Sequence, residues 1–290
     1  MKDTFVLDAR GLGYDYYNHR IFTLLSDLES FYELLSDNSL GHADGLLLTQ
    51  KLSIVNKIYA SMQGSIESIK ILVYIGRLND AFALARKYYD AVTTDIYQSI
   101  LTKKEENSFL EDNKNLKDLW NNSVVRAWTY AQQHLYDSRS HNNKGQVRTY
   151  EDINNALKEL NDNLFKIITD IKSKERKEIC NDNMHYNSWD NFVLNINESF
   201  DNKIKIKALD DLFENLQIAL CYHFAYIYIL HPEYYSSSDY IEALEMGVVL
   251  ETDSQYWVAS IVQVIFDRYI KTYNQELSEF ILTYKNMKFE

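Results

Sequence analysis

LDDLFENLQIALCYHFAYIYIL, residues 209–230, indicates more about the fold than any other part of the chain. Its leucines at 209, 212, 216 and 220 recur at the spacing of one helix face. The most apolar run, residues 218–230, contains His223 and is too short to cross a bilayer as a helix. The stretch therefore predicts a buried helix and no membrane span.

Apolar residues recur at helical spacing through most of the chain, which has 290 residues, one proline and 8 glycines. Long helices tolerate few prolines or glycines, so the composition also favours helices. We expect an all-α fold, with a multi-helix bundle over residues 1–187 and a second C-terminal helical layer over 188–290. The second part is either a subdomain or a continuation of one domain.

Three segments carry more specific expectations. Phe192, Leu194 and Ile196 alternate with polar residues, as do Ile204 and Ile206, which predicts a short β-hairpin near residues 191–207. The charged segment 103–115 has poor periodicity and predicts a loop. The apolar stripe of residues 153–171 predicts one helix, which continues into residues 176–187.

The charge excludes some functions. The chain has 30 Lys and Arg against 42 Asp and Glu, a formal net charge of -12. Such a protein repels a polyanion at long range, which argues against broad DNA binding but allows a small local RNA site. The two cysteines, Cys180 and Cys221, form no metal-ligand pattern, and the N-terminus has no apolar signal core. We expect a cytoplasmic protein without a metal or cofactor.

The segment RKEICNDNMHYN, residues 176–187, contains the side chains best suited to chemistry. In a continued helix, Asn181 and His185 share one face, and Arg176 lies about one turn before them. Such a set predicts proton transfer by His185, a phosphate or ribose contact by Asn181, and charge stabilisation by Arg176. The alternative is an ordinary helix C-terminus, at which Asn181 adopts a left-handed conformation and His185 binds free carbonyls.

The run CNDNMHYN, residues 180–187, resembles the active segment of HEPN-type helical proteins, a superfamily of bacterial toxins, abortive-infection proteins and RNA-processing factors. The family pattern is an Arg, a polar residue, several variable residues and a His. Asn181 and His185 match the polar residue and the His, but Cys180 stands where the family has Arg. The resemblance implies RNA cleavage without a metal if Arg176 substitutes for the missing Arg, or RNA binding alone if it does not.

Three other basic residues are candidates for substrate binding: Arg139 and His141, in a polar loop, and Lys177. The alternative for that loop is a solvated surface segment. Arg86 and Asp90 are four residues apart on a predicted helix, which predicts a structural ion pair.

Two functions follow from these patterns. In the first, the chain is a HEPN-like bacterial protein of a defence or toxin–antitoxin type that binds or cleaves RNA; as an enzyme it would be a metal-independent endoribonuclease. In the second, it is a non-catalytic helical scaffold or interaction protein in a homodimer or a hetero-complex.

Overall fold

The computed structural model describes residues 12–41, 49–111, 150–173, 180, 189–196, 202–249, 251, 257–284, 287 and 289. Over these residues the predicted all-α fold is confirmed. The α-helices are α1 (Tyr14–Tyr17), α2 (Ile21–Gly41), α3 (Thr49–Tyr74), α4 (Leu78–Glu111), α5 (Tyr150–Leu160), α6 (Asp162–Ser173), α7 (Trp189–Val193), α8 (Asn202–Leu230), α9 (Ser238–Glu245), α10 (Ser260–Ile265) and α11 (Gln275–Thr283). A 3-10 helix covers Pro232–Tyr235, and a π-helical turn covers Phe266–Ile270.

The predicted buried helix is the central element of the fold. Residues 216–230 of α8 are all buried, and α8 packs on α2, α4 and α6. One cluster of buried side chains includes residues from α2 to α11, so the segments before and after residue 187 share a core. Burial of apolar side chains on this scale is the main force that stabilises such a fold.

The turn between α3 and α4 has a left-handed residue, Gly76, with φ 76°. Its amide donates to the Val73 carbonyl at 3.0 Å, and the Arg77 amide donates to the Leu72 carbonyl at 2.8 Å. This pair of bonds is a Schellman motif, which satisfies the last carbonyls of α3. Leu12 packs on the turn, close to where a side chain at Gly76 would lie.

The α3–α4 corner also holds segment 191–196, which includes the end of α7. The side chains of Arg77 and Asn79 donate to backbone carbonyls of that segment. Lys205, in the first turns of α8, donates to a third carbonyl of the segment at 2.5 Å. Two distant parts of the chain therefore meet at this corner.

The predicted hairpin near residues 191–207 is wrong. Phe192 lies in α7, and both Ile204 and Ile206 lie in α8. The described residues contain no strand, only an isolated β-bridge between Ser236 and Val258. Alternation over two or three residues fits a helix as well as a strand. The apolar stripe of α8 extends back to Ile204, so this segment is helical.

Two predicted boundaries are also wrong. Helix α4 continues to Glu111 through most of the predicted loop 103–115, since a charged segment without Gly or Pro can stay helical. The predicted single helix over 153–171 is divided at Asn161, whose Oδ1 accepts a hydrogen bond from the Leu164 amide at 2.9 Å. Asn161 thus caps the start of α6.

Candidate functional site

Four polar side chains form a hydrogen-bonded chain in the core. His223 Nε2, on α8, lies 2.9 Å from Asp95 Oδ2, on α4. The other ring nitrogen of His223, Nδ1, lies 2.8 Å from the Tyr32 hydroxyl on α2. That hydroxyl lies 2.6 Å from the Tyr88 hydroxyl on α4. We call this set, Asp95, His223, Tyr32 and Tyr88, the buried polar chain.

One assignment of protons pairs every group of the buried polar chain. In that assignment an ionised Asp95 accepts from Nε2 of a neutral His223 ring, Nδ1 accepts from the Tyr32 hydroxyl, and the Tyr32 hydroxyl accepts from Tyr88. Burial, followed by the effect of Tyr88 and of the Asp95 carboxylate, raises the pKa of Tyr32 well above its ordinary value. Both burial and Asp95 also raise the pKa of Tyr59, which packs beside His223.

The buried polar chain is closed to solvent. None of its four side chains belongs to a residue more than 3% exposed. A His between a carboxylate and a hydroxyl has the parts of a proton relay, but catalysis also requires that substrate reach it. Its hydrogen bonds satisfy buried polar groups and connect α2, α4 and α8.

Most residues of the predicted site lie outside the described residues. These are Arg139, His141, Arg176, Lys177, Asn181 and His185. Within segment 176–187 the structure describes Cys180 alone, and it is buried in the hydrophobic cluster. Cys180 is the residue that the resemblance sets against the Arg of the HEPN pattern, and the structure places it among buried apolar side chains.

Arg86 and Asp90 lie together on α4, with Arg86 Nη1 2.6 Å from Asp90 Oδ1. The Asp90 side chain is well exposed, and the Arg86 side chain is partly buried near the ring of Tyr89. The contact is a helix-surface pair of residues i and i+4, which is worth only a few tenths of a kcal/mol, about 0.2–0.5.

A second feature, on the surface, is the turn after α9. The Gly247 amide donates to the Leu244 carbonyl at 3.0 Å, and the Val248 amide donates to the Ala243 carbonyl at 2.8 Å. Gly247 has φ 68°, which completes a second Schellman motif. Four apolar side chains point outward here: Leu244, Met246, Val248 and Val249. We call these four residues the α9 apolar patch.

Neither the buried polar chain nor the α9 apolar patch was predicted from sequence. The signal for the first was Asp95 within the apolar stripe of α4, beside Ile96 and one turn after Val92. Its partner His223 is 128 residues away, so no local pattern joins them. The signal for the second was the row of apolar residues around Gly247, at the end of a short helix.

Comparison with protein-family models finds no match for this chain, and comparisons with curated proteins and with solved structures find none either. No helix among the described residues is long and apolar enough to cross a membrane. Across the same described ranges, no group of three or more His, Cys, Asp or Glu side chains has an arrangement that would hold a metal ion.

Proposed function

We propose that this protein is a non-catalytic helical interaction protein that binds another protein through the α9 apolar patch. The observation that supports the proposal is the exposure of Met246 and Val249, which are 77% and 87% exposed. Monomeric proteins rarely expose apolar side chains in groups, because each buried Å² of apolar surface is worth roughly 25 cal/mol. Covering the patch with a partner would recover that free energy.

The backbone of the patch is already ordered. The two hydrogen bonds of the Schellman motif fix Gly247 and Val248, and the Ser237 hydroxyl caps the start of α9 by accepting from the Tyr240 amide at 3.1 Å. A surface that is ordered before binding loses less conformational entropy when it binds.

The buried polar chain is consistent with this proposal. It connects four polar side chains around His223, and solvent does not reach it. In this proposal the buried polar chain stabilises the fold, and the protein binds its partner at the surface.

Site-specific photo-crosslinking in cells tests the proposal. A photoreactive amino acid replaces Val249 in one variant and Ile71, an apolar residue 60% exposed on α3, in the control variant. We expect a discrete crosslinked product from position 249 and none from position 71. Equal products from both positions, or none from either, would overturn the proposal.

The second candidate is HEPN-like RNA cleavage or binding in a defence or toxin–antitoxin system. The observation that favours it is the pattern of Asn181 and His185, with Arg176 one turn before. An RNA-cleavage assay in EDTA tests it with the wild type, His185→Ala and the control His231→Ala. Cleavage lost only in His185→Ala would support a metal-independent nuclease, whereas cleavage by all three proteins, or by none, would rule that nuclease out.

A further inference from the structure

From the charge around the α9 apolar patch, we infer that its partner is a basic amphipathic helix of another protein. This inference rests on the proposed function and names the chemistry of the partner. The patch lies in a part of the chain with no positive side chain, since Lys207 and Arg268 have neither Lys nor Arg between them. The acidic residues in α9 and within six residues of its ends are Glu233, Asp239, Glu242, Glu245 and Glu251.

Acidic and apolar side chains share one side of α9. Glu242, Glu245 and Met246 are all exposed, and residues three and four positions apart lie on the same face of a helix. No residue of α9 is buried, so the helix lies on the outside of the protein and offers its outer side to a partner. An amphipathic helix with apolar anchors and flanking Lys or Arg matches both parts of this surface.

The same acidic side chains disfavour the alternative partners of the α9 apolar patch. In a symmetric pair of copies of this chain, the patches would face each other and bring Glu242 and Glu245 close to the same residues of the second copy. Like charges that meet across an interface oppose binding. Nucleic acids and anionic lipid surfaces are repelled for the same reason.

Three synthetic peptides of about 18 residues, long enough to form a helix, serve as probes. The first has Leu at helical spacing with Lys elsewhere, the second replaces every Lys with Glu, and the third has the composition of the first with its Leu positions scrambled. Fluorescence anisotropy measures their binding to the full chain at low and at high salt. We expect binding of the first peptide alone, weaker at high salt.

Variants of the protein show which of its side chains bind the peptide. Met246→Ser combined with Val249→Ser removes apolar anchors, and we expect affinity for the Leu/Lys peptide to fall about tenfold or more. The matched control, Ile71→Ser combined with Leu282→Ser, changes two exposed apolar residues elsewhere and should bind as the wild type does. Glu242→Lys combined with Glu245→Lys should shift the preference toward the Leu/Glu peptide. Thermal melts confirm that all variants fold.

Several outcomes would overturn the inference. These are equal binding of the scrambled peptide, unchanged affinity in the Met246→Ser and Val249→Ser variant, or a wild-type dimer that this variant dissociates in sedimentation velocity. Failure of the inference is distinguishable from failure of the proposed function. A crosslinked partner at position 249 with no peptide binding would keep the interaction role and reject only a basic helix.

Discussion

His223 and Asp95, 128 residues apart in sequence, lie 2.9 Å apart in the core and connect α8 to α4. Both residues are almost fully buried, and the second ring nitrogen of His223 is bound to Tyr32. The contact therefore has a definite energetic consequence, because a buried polar group that loses its partner cannot turn to water instead.

We expect Asp95→Ala to lower the free energy of unfolding by about 1–3 kcal/mol, since it leaves Nε2 of His223 buried without its hydrogen-bond partner. Asp90→Ala is the matched control, because Asp90 is on the same helix but exposed, and its effect should stay within about 0.5 kcal/mol. Urea unfolding of both variants measures the difference. Equal losses of unfolding free energy in the two variants would show that the Asp95–His223 contact stabilises the fold no more than an exposed pair does.

Tyr32→Phe and Tyr226→Phe should differ although each removes one buried hydroxyl. The Tyr32 hydroxyl bonds to both Tyr88 and His223, so its loss should cost about 1–3 kcal/mol. The Tyr226 hydroxyl has no hydrogen-bond partner among the described residues, so its loss should cost less or stabilise the fold. Thermal melts compare the two variants; a greater loss of stability in Tyr226→Phe would contradict this expectation.

Gly76→Ala should destabilise the protein by about 1–2 kcal/mol, because an L-residue is strained at φ 76°. An added Cβ would also lie 3.1 Å from a Leu12 methyl carbon. Gly64→Ala is the control, with an expected change in stability of the opposite sign. Gly64 is within α3 with open space around it, so Ala there should stabilise by about 0.5–1 kcal/mol. Changes of the same sign in denaturant melts would refute this account.

The stability of the fold should fall as the pH drops through about 6.5, partly because of His19. Burial lowers the pKa of His19, although the hydrogen bond and charge of Asp210 act in the opposite direction. His19 Nδ1 accepts a bond from the Ile21 amide at 3.2 Å, and a proton on Nδ1 would break it. Because the folded pKa is below the unfolded one, the unfolded chain takes up more protons in this range and gains stability relative to the fold.

The measurement is urea unfolding of the wild type and His19→Gln at about pH 7.5 and about pH 5.5, on either side of the ordinary His pKa. The wild type should lose more stability between the two values than His19→Gln does. An equal loss in both proteins would exclude His19 as a source of the pH dependence.

Local signals predicted those parts of the fold that depend on neighbouring residues. Gly76 and Gly247 each follow a stretch with helical apolar spacing, which predicts the end of a helix, and both end a helix with left-handed backbone. Asn274 precedes the last apolar stripe, which predicts the start of a helix, and its Oδ1 accepts from the Leu277 amide at 2.8 Å. Each of these three residues lies within a few residues of the helix that it ends or starts.

Features that join distant residues were beyond the sequence patterns. The spacing of Ile204 and Ile206 fits strand and helix alike, and only the packing of all of α8 distinguishes the two. The partners of His223 are on α2 and α4, so nothing near His223 indicates them. The predicted site around His185 stays a prediction, because only Cys180 of that segment is among the described residues.

The α3–α4 corner has a consequence for the order in which the protein folds. Helices α2, α3 and α4 are consecutive and can pack soon after they form, whereas Arg77 meets its partner in segment 191–196 across 118 residues of chain. Closing so long a loop lowers the conformational entropy of the chain before the contact at the corner can form and stabilise it. We therefore expect the corner to be completed late, and its amides to be among the earlier ones to exchange with solvent when the native state opens locally.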